Sequence, residues 1–130
     1  SRSGTARKTR RRSVICERCD VVVVPFPFSD RVQAKRRPAL ALSREDFNRH
    51  GHTVMAMVTT GRAPAWPGDI VLTDYTEAGL AVPCVVRMKL FTLDNRLILR
   101  KIGRLADDDA ERVSGSVRQL LGEADECPKN

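Results

Sequence analysis

Apolar residues occur in six short runs along the chain, and the composition of each run is typical of a β-strand. The predicted strands are residues 20–28, 37–43, 53–60, 69–73, 85–93 and 97–105. β-Branched residues are frequent in them, and segments rich in Gly, Pro and polar residues separate them. Pro25 and Pro27 alternate with phenylalanines, so the end of the first strand is not expected to pair on both sides.

The pattern changes to that of a helix after residue 105. Asp107 or Asp108 is the predicted N-cap, Gly122 is the predicted end, and one turn of helix is expected within residues 44–52. The helix is expected to bury one apolar stripe, formed by Val113, Val117, Leu120 and Leu121. Six short strands joined by turns, followed by one helix, predict a mainly β fold: a small antiparallel barrel with a C-terminal α-helix.

Charge is unevenly distributed along the chain. Residues 1–18 carry seven basic and one acidic residue, residues 19–105 carry 13 and 8, and residues 106–130 carry 3 and 7. We therefore expect a disordered basic tail over 1–18, one domain over 19–122 and an acidic tail over 123–130. The basic tail either attracts nucleic acid without sequence preference or serves only as a solubilising leader.

The sequence also predicts the location of the protein and whether it needs a metal or a cofactor. No apolar run reaches the length of a membrane span, and no apolar segment of a secretion signal follows the basic residues, so a cytoplasmic protein without membrane contact is expected. Cys16 and Cys19 have the spacing of half a zinc site, but the chain has no second such pair. We expect free thiols, no metal and no cofactor.

Five stretches resemble the MazF/PemK family of toxin endoribonucleases, in its PemK-like branch. They are "DVVVVPFPFSD", "KRRPALALS", "VMAMVTT", "VPCVVRMKLFTLD" and "RKIGRLADDDAERV", in the family's order, and they cover about residues 20–121. The resemblance implies an SH3-like barrel, a homodimer and a role as the toxin of a type II toxin–antitoxin system. It further implies metal-independent cleavage of single-stranded RNA into 2′,3′-cyclic phosphate and 5′-hydroxyl ends, and neutralisation by an acidic antitoxin.

Three catalytic residues follow from the same resemblance. The family's arginine before the proline of the R-P motif is Arg37, its hydroxyl partner in "VTT" is Thr59, and the arginine of "VVR" is Arg87. Some members carry an acidic residue two positions after that last arginine, where this chain has Lys89. Several carry glutamine where this chain has Gly61.

The chemistry of RNA cleavage suits the first two residues. Attack by the 2′-hydroxyl adds negative charge to a five-coordinate phosphorus, and fixed donors to its oxygens stabilise that charge. The guanidinium of Arg37 offers bidentate donation, and the Thr59 hydroxyl adds one donor. Arginine is too basic to remove the 2′ proton, so the base stays open among Asp30, the two histidines and water.

Further residues are candidates for RNA binding because they are basic, hydroxylated or aromatic and lie near the predicted catalytic positions. They are Lys35, Arg36, Thr60, Arg62, Trp66 and Lys89. Lys35 and Arg36 are equally compatible with solvated loop charges. Trp66 would either stack on a base or pack against the barrel.

Other interpretations stay open. His50 and His52 form either a two-histidine nuclease site or part of an exposed loop. A nucleic-acid-binding barrel without catalysis would use the basic tail as its anchor. A gyrase-inhibiting toxin of the CcdB type acts through a C-terminus rich in Trp and Ile, whereas this chain ends in "ECPKN".

Overall fold

The computed structural model of the protein describes residues 14–26, 35–61 and 64–122. Its strands are β1 (Asp20–Phe26), β2 (Lys35–Ala41), β3 (His52–Thr60), β4 (Ile70–Val71), β5 (Cys84–Asp94) and β6 (Arg100–Arg104). The helices are α1 (Glu45–Asn48) and α2 (Asp107–Leu121), and a 3₁₀ turn spans Asn95–Leu97. The acidic tail over 123–130 and residues 1–13 of the basic tail lie outside the described residues.

The strands form one antiparallel sheet in the order β4-β5-β3-β2-β1-β6, which curls into a half-barrel. β1 pairs with β2 along its whole length but with β6 only from Asp20 to Val23. The end of β1 that contains Pro25 is therefore paired on one side, as its proline predicts. The predicted mainly β fold with a C-terminal helix is confirmed.

Apolar side chains pack on both faces of the sheet because successive strand residues point to opposite faces. The helix-side core lies under α2 and includes Val21, Leu40, Ala56, Val58, Val86 and Val113. The far-side core includes Val22, Val24, Ala39, Met55, Leu93 and Ile98. A residue of β1, β2, β3 or β5 can therefore be placed on one face by counting from these core residues.

Two strands begin two or more residues away from the predicted position. β2 begins at Lys35 rather than at residue 37, because β1 extends far enough to pair Pro25 with Arg36 and Phe26 with Lys35. Lys35 and Arg36 are thus strand residues and not loop charges. β6 begins at Arg100 rather than at residue 97, because the Asp94 side chain accepts a hydrogen bond from the Arg96 N–H and starts the 3₁₀ turn.

Helix α2 begins and packs differently from the prediction. Its N-cap is Ala106, without a side-chain bond, and not Asp107 or Asp108. Val113 is buried, but Leu120 and Leu121 are 51% and 65% exposed, so the predicted apolar stripe is wrong in its last turn. The helix bonds to the segment before β4 through Ser116, and its last turn projects beyond that contact.

The acidic residue that matters at the start of α2 is Asp109, which is fully buried. Its carboxylate accepts hydrogen bonds from the N–H and hydroxyl of Thr73, the N–H of Asp74 and the guanidinium of Arg112. Burial alone would raise the pKa of Asp109, but these donors outweigh it and lower the pKa below its usual value. Asp109 thereby ties the helix to the segment after β4.

Candidate active site

Arg37 and Thr59 come together at one end of the sheet, on neighbouring strands. β2 and β3 pair antiparallel, and the last pair of their ladder is Ala39 with Met57. Arg37 stands two residues before Ala39, and Thr59 stands two residues after Met57, so both lie at the end where the ladder stops and each shares the face of its partner in the last pair. Residues directly opposite each other in an antiparallel pair point to the same face. The sequence-predicted arginine–threonine pair is thus brought to one place.

Pro38 explains why the ladder stops before this pair. The Leu42 N–H donates to the Val54 carbonyl of β3 at 2.8 Å. Alternate N–H groups of a strand point to the same side, so residue 38 also directs its nitrogen at β3, towards the carbonyl of Val58. Proline has no N–H to donate. The β2–β3 ladder therefore ends beside Arg37. Beyond Ala39 and Met57 the two strands are not paired, and we refer to this unpaired stretch as the opening.

The side chain of Arg37 is exposed at this opening. Within the described part of the chain, it forms no hydrogen bond or ion pair with another residue. Thr59, half-buried in β3, lies beside Val85 of β5 on its other side. An unpaired guanidinium and a hydroxyl at the open end of a sheet are suited to bind an anion.

The neighbouring candidates divide between the two faces. Ala39 belongs to the far-side core, so Arg37 and Lys35 extend that face, whereas Arg36 alternates to the helix-side face. Thr60 follows Thr59 and lies on the helix-side face, opposite Cys84. With Gly61, Val82 and Pro83, Thr60 lines an open, largely apolar depression of about 400 Å³. Arg62 lies outside the described residues.

Arg87 lies on the same face as Arg37 and Thr59, since it pairs with Met57 across β3 and β5. Its guanidinium forms a bidentate ion pair with Asp69, with Nε at 3.2 Å from Oδ1 and Nη2 at 3.0 Å from Oδ2. The same Nη2 donates to the Pro64 carbonyl at 2.5 Å. The hydrogen bonds that Arg87 donates to Asp69 raise the pKa of Arg87. The Arg87 guanidinium is therefore already paired with a carboxylate, whereas that of Arg37 is not.

Lys89 and Trp66 lie next to Arg87. The β3–β5 ladder shifts between Ala56 and Met57, which leaves Met88 and Lys89 as extra residues in β5. The Lys89 Nζ lies 4.8 Å from the centre of the Trp66 ring, and the Arg87 Cζ lies 5.8 Å from it. Trp66 thus covers the two basic residues and does not pack into the helix-side or far-side core.

The histidines are far from this site. His52 begins β3, opposite Asp94, and Thr59 lies seven residues further along the strand. At a rise of about 3.3 Å per residue, the separation is about 23 Å. His50 and His52 are both exposed, which fits the loop interpretation. Asp30, the other candidate base, lies outside the described residues.

The two cysteines of "CERC" lie on different sides of the sheet. Cys16 is buried in the far-side core, whereas Cys19 packs against the helix-side core. Burial, followed by the charge of Asp20, raises the pKa of Cys16 to about 11. The described residues contain no group of three or more His, Cys, Asp or Glu placed to hold a metal ion. Likewise, none of the described helices is long and apolar enough to cross a membrane.

Sequence reasoning missed Asp69, which lies in "PAWPGD". The turn residues before it indicate a loop but not that its carboxylate reaches Arg87 in β5. It also missed the consequence of Pro38, which depends on which neighbouring strand the proline nitrogen faces. The general signal was present in both cases, a loop carboxylate and a proline inside a strand.

The structure is thus a curled antiparallel sheet with an exposed arginine and a threonine at the end of one ladder. Residues 17–121 match the family described as PemK-like, MazF-like toxin of type II toxin–antitoxin system. The chain belongs to this family. No match was found among curated proteins.

Solved structures agree with this assignment. MazF from Deinococcus radiodurans is 29% identical, with a TM-score of 0.65, and the match covers 84% of this chain and 98% of that one. A MazE–MazF complex from the same organism gives 24% identity, a TM-score of 0.65 and coverage of 84% and 97%. An endoribonuclease in complex with its cognate antitoxin, from a mycobacterial species, is 16% identical, with a TM-score of 0.63, and the match covers 83% of this chain and 94% of that one. At these last two identities the likeness shows the fold alone.

Proposed function

We propose that this protein is a metal-independent endoribonuclease, the toxin of a type II toxin–antitoxin system, which cleaves single-stranded RNA. The observation that carries the proposal is the relationship of Arg37 to Thr59. Both side chains lie on the same face of the sheet, at the end where the β2–β3 ladder stops. Family membership supports the same activity.

The step to be catalysed is a transfer of phosphate within the RNA strand. The ribose 2′-oxygen forms a bond to phosphorus, the bond from phosphorus to the 5′-oxygen breaks, and a 2′,3′-cyclic phosphate results. The 2′ proton passes to a base or water, and the leaving 5′-oxygen takes up a proton. Extra negative charge on the non-bridging oxygens is greatest in the transition state, where fixed donors contribute most.

We assign Arg37 to stabilising the negative charge on the non-bridging oxygens. Its guanidinium binds two phosphate oxygens through parallel N–H groups, and it is not occupied by a carboxylate of the described chain. The Thr59 hydroxyl donates to the same phosphate or holds the attacking oxygen. Arg87 is already paired with Asp69, so we assign it to holding the neighbouring loop and not to contact with the scissile phosphate.

RNA binding draws on the basic side chains of this face. Lys35 extends beyond Arg37 along β2, and Lys89 projects from the irregular part of β5. Phosphates before and after the scissile one would lie beside these two lysines. Arg36 and Thr60, which alternate to the other face, contribute less.

The related structures support an antitoxin partner. MazE–MazF complexes and an endoribonuclease bound to its cognate antitoxin have been solved for proteins of this fold. We propose that an acidic antitoxin neutralises this protein by competing with RNA for Arg37, Lys35 and Lys89. We further propose that the toxin is a homodimer that acts on RNA in the cytoplasm.

The test is cleavage of a synthetic single-stranded RNA in the presence of EDTA, with mass spectrometry of the product ends. We expect cyclic phosphate and 5′-hydroxyl ends. A matched RNA with 2′-deoxyribose at the cleaved position lacks the nucleophile and should stay intact. If the protein binds both RNAs and cuts neither, it is a binding module. Inhibition of gyrase supercoiling without RNA cleavage would instead support the gyrase-toxin interpretation.

A further inference from the structure

Trp66 is the only tryptophan of the chain, and its backbone is held at both polar groups by one residue. The Asp69 N–H donates to the Trp66 carbonyl at 3.0 Å, and the Trp66 N–H donates to Asp69 Oδ2 at 3.1 Å. Pro67 and Gly68 occupy the centre of this turn, and Gly68 has φ +84°. Proline followed by a residue with positive φ is typical of a type II turn. This turn fixes the backbone position of its first residue, Trp66.

The turn is anchored to the body of the protein at two further points. The Asp69 carboxylate forms the bidentate ion pair with Arg87 of β5, and both side chains of this pair are largely buried, with 16% and 13% of their surface exposed. The Ser116 hydroxyl of α2 donates to the Gly68 carbonyl at 3.3 Å. The turn that carries the tryptophan is therefore held rigidly, which reduces the entropy lost when the tryptophan binds a partner.

Trp66 is nevertheless 40% exposed. Its contacts with Lys89 Nζ and Arg87 Cζ are cation–π contacts, which fix its orientation. An exposed large aromatic side chain beside a lysine has the two properties that bind single-stranded nucleic acid: a flat surface for a base and a cation for the backbone. Packing in a core would require the opposite, a covered ring.

The position of this ring relates it to Arg37 and Thr59. Arg87 pairs with Met57, two residues before Thr59 on β3, and lies on the face that Arg37 shares. Diagonal neighbours on one face of an antiparallel pair are about 7–8 Å apart. The Trp66 turn thus lies on the β5 side of Thr59, and Arg37 lies on its β2 side.

We propose that Trp66 is a base-stacking subsite of the RNA cleft and that Asp69 is its positioning residue, acting through the ion pair with Arg87. The inference rests on the proposed function. It adds the position at which the protein holds the RNA next to the scissile phosphate. The ligand is the nucleobase of a nucleotide adjacent to the cleaved bond. Lys89 binds the phosphate of that nucleotide or of the next one.

The first experiment uses the fluorescence of the single tryptophan. The full chain is titrated with the RNA that carries 2′-deoxyribose at the cleaved position, and binding is followed independently by anisotropy of a dye on the RNA. We expect tryptophan fluorescence to be quenched with the same midpoint as the anisotropy change. In the matched double variant Trp66→Phe/Phe47→Trp, the tryptophan moves to the exposed Phe47 of α1, and its fluorescence should not change on binding.

The second experiment separates binding from chemistry. Loss of one stacked base weakens nucleic-acid binding by roughly 5- to 100-fold, so Trp66→Ala should raise KM by that factor and leave kcat within about twofold. Trp66→Phe should retain most of the affinity. Asp69→Asn should raise KM in the same way. It should also shift the tryptophan emission of the free protein, because the turn that holds Trp66 loses its ion pair with Arg87. Phe47→Ala should change neither constant.

The outcomes distinguish this inference from the proposed function. Cleavage with an unchanged KM in Trp66→Ala, or binding seen by anisotropy without quenching, overturns the subsite and leaves the endoribonuclease intact. Quenching by the uncleavable RNA in a protein that cuts no RNA supports the subsite and overturns the proposed chemistry. Circular dichroism of each variant identifies any that fail to fold, and the quenching titration of the unaltered chain then supplies the result.

Discussion

Pro38 of β2 stands where the next hydrogen bond of the sheet would join residue 38 to the Val58 carbonyl of β3. The ladder between these strands ends at Ala39 and Met57, one residue before that position. Because proline cannot donate, the two strands are released beside Arg37 and Thr59. One residue thus creates the opening in which the proposed chemistry takes place.

Replacing Pro38 should close part of that opening. Pro38→Ala restores an N–H, and one added hydrogen bond contributes about 0.5–1.5 kcal/mol. The more flexible unfolded chain offsets about 0.4–1 kcal/mol of this, so unfolding stability should change little while RNA cleavage falls. Hydrogen exchange measured by NMR should show a protected amide at residue 38. An exchanging amide with unchanged cleavage would argue against this role.

Removal of the unpaired guanidinium should abolish most activity without unfolding the protein. Loss of one donor that stabilises an oxyanion lowers kcat about 10²–10³-fold, and we expect at least this from Arg37→Ala. Arg37→Lys should recover only part, since an ammonium cannot donate in bidentate fashion. Arg44→Ala removes an equally exposed arginine at the start of α1 and serves as the control. Equal rates for the two alanine variants would remove Arg37 from the mechanism.

Asp109 should contribute stability that depends on pH. Because its folded-state pKa is lowered, its contribution is complete above the unfolded value of about 3.9 and is lost as the pH falls through the folded value. Asp109→Asn should reduce the free energy of unfolding by roughly 1–3 kcal/mol at neutral pH. The difference from the wild type should shrink below about pH 4.

Asp107→Asn changes an exposed acid in the same helix and should alter the free energy of unfolding by less than about 0.5 kcal/mol. Urea titrations at several pH values measure both variants. A difference between Asp109→Asn and the wild type that is constant from pH 7 to pH 2 would contradict the assignment.

Two glycines should respond in opposite ways to alanine. A Cβ at Gly103 would collide with the backbone of Ala78 and Gly79, whereas at Gly115 it would meet nothing within 4 Å. Gly103→Ala should therefore destabilise by roughly 1–3 kcal/mol through overpacking, and Gly115→Ala should stabilise α2 by roughly 1 kcal/mol. Thermal unfolding of both proteins tests the pair, and a shift of the same sign in both would contradict the packing between Ala78 and Gly103.

Cys16 should be protected from alkylation while the protein is folded. It is 1% exposed, and its pKa is raised to about 11, so very little thiolate is present at pH 8. Iodoacetamide should label Cys16 only when urea unfolds the chain, as read from peptide masses. The half-buried Cys19 of the same protein provides an internal comparison. Rapid labelling of Cys16 in the native protein would show that the segment before β1 does not pack as described.

The sequence by itself determined the order of the elements. Its β-branched runs separated by turn residues are enough for an antiparallel sheet, because strand formation depends on local composition and on the turns between strands. Its motifs also carried the resemblance through which Arg37 and Thr59 were assigned. Local patterns were misleading where packing decides: the periodicity of Leu120 and Leu121 predicts a buried stripe, but the helix extends past the segment that it covers.

Only the tertiary structure decided how these residues meet. The register between β2 and β3 places Arg37 and Thr59 on one face at the end of their ladder, and the direction of one backbone nitrogen makes Pro38 the end of that ladder. Asp69 reaches Arg87 across 18 positions of sequence and holds the turn that carries Trp66, whereas the Arg37 side chain has no such partner among the described residues. Such relationships depend on contacts between strands distant along the chain, and a pattern along one strand does not contain them.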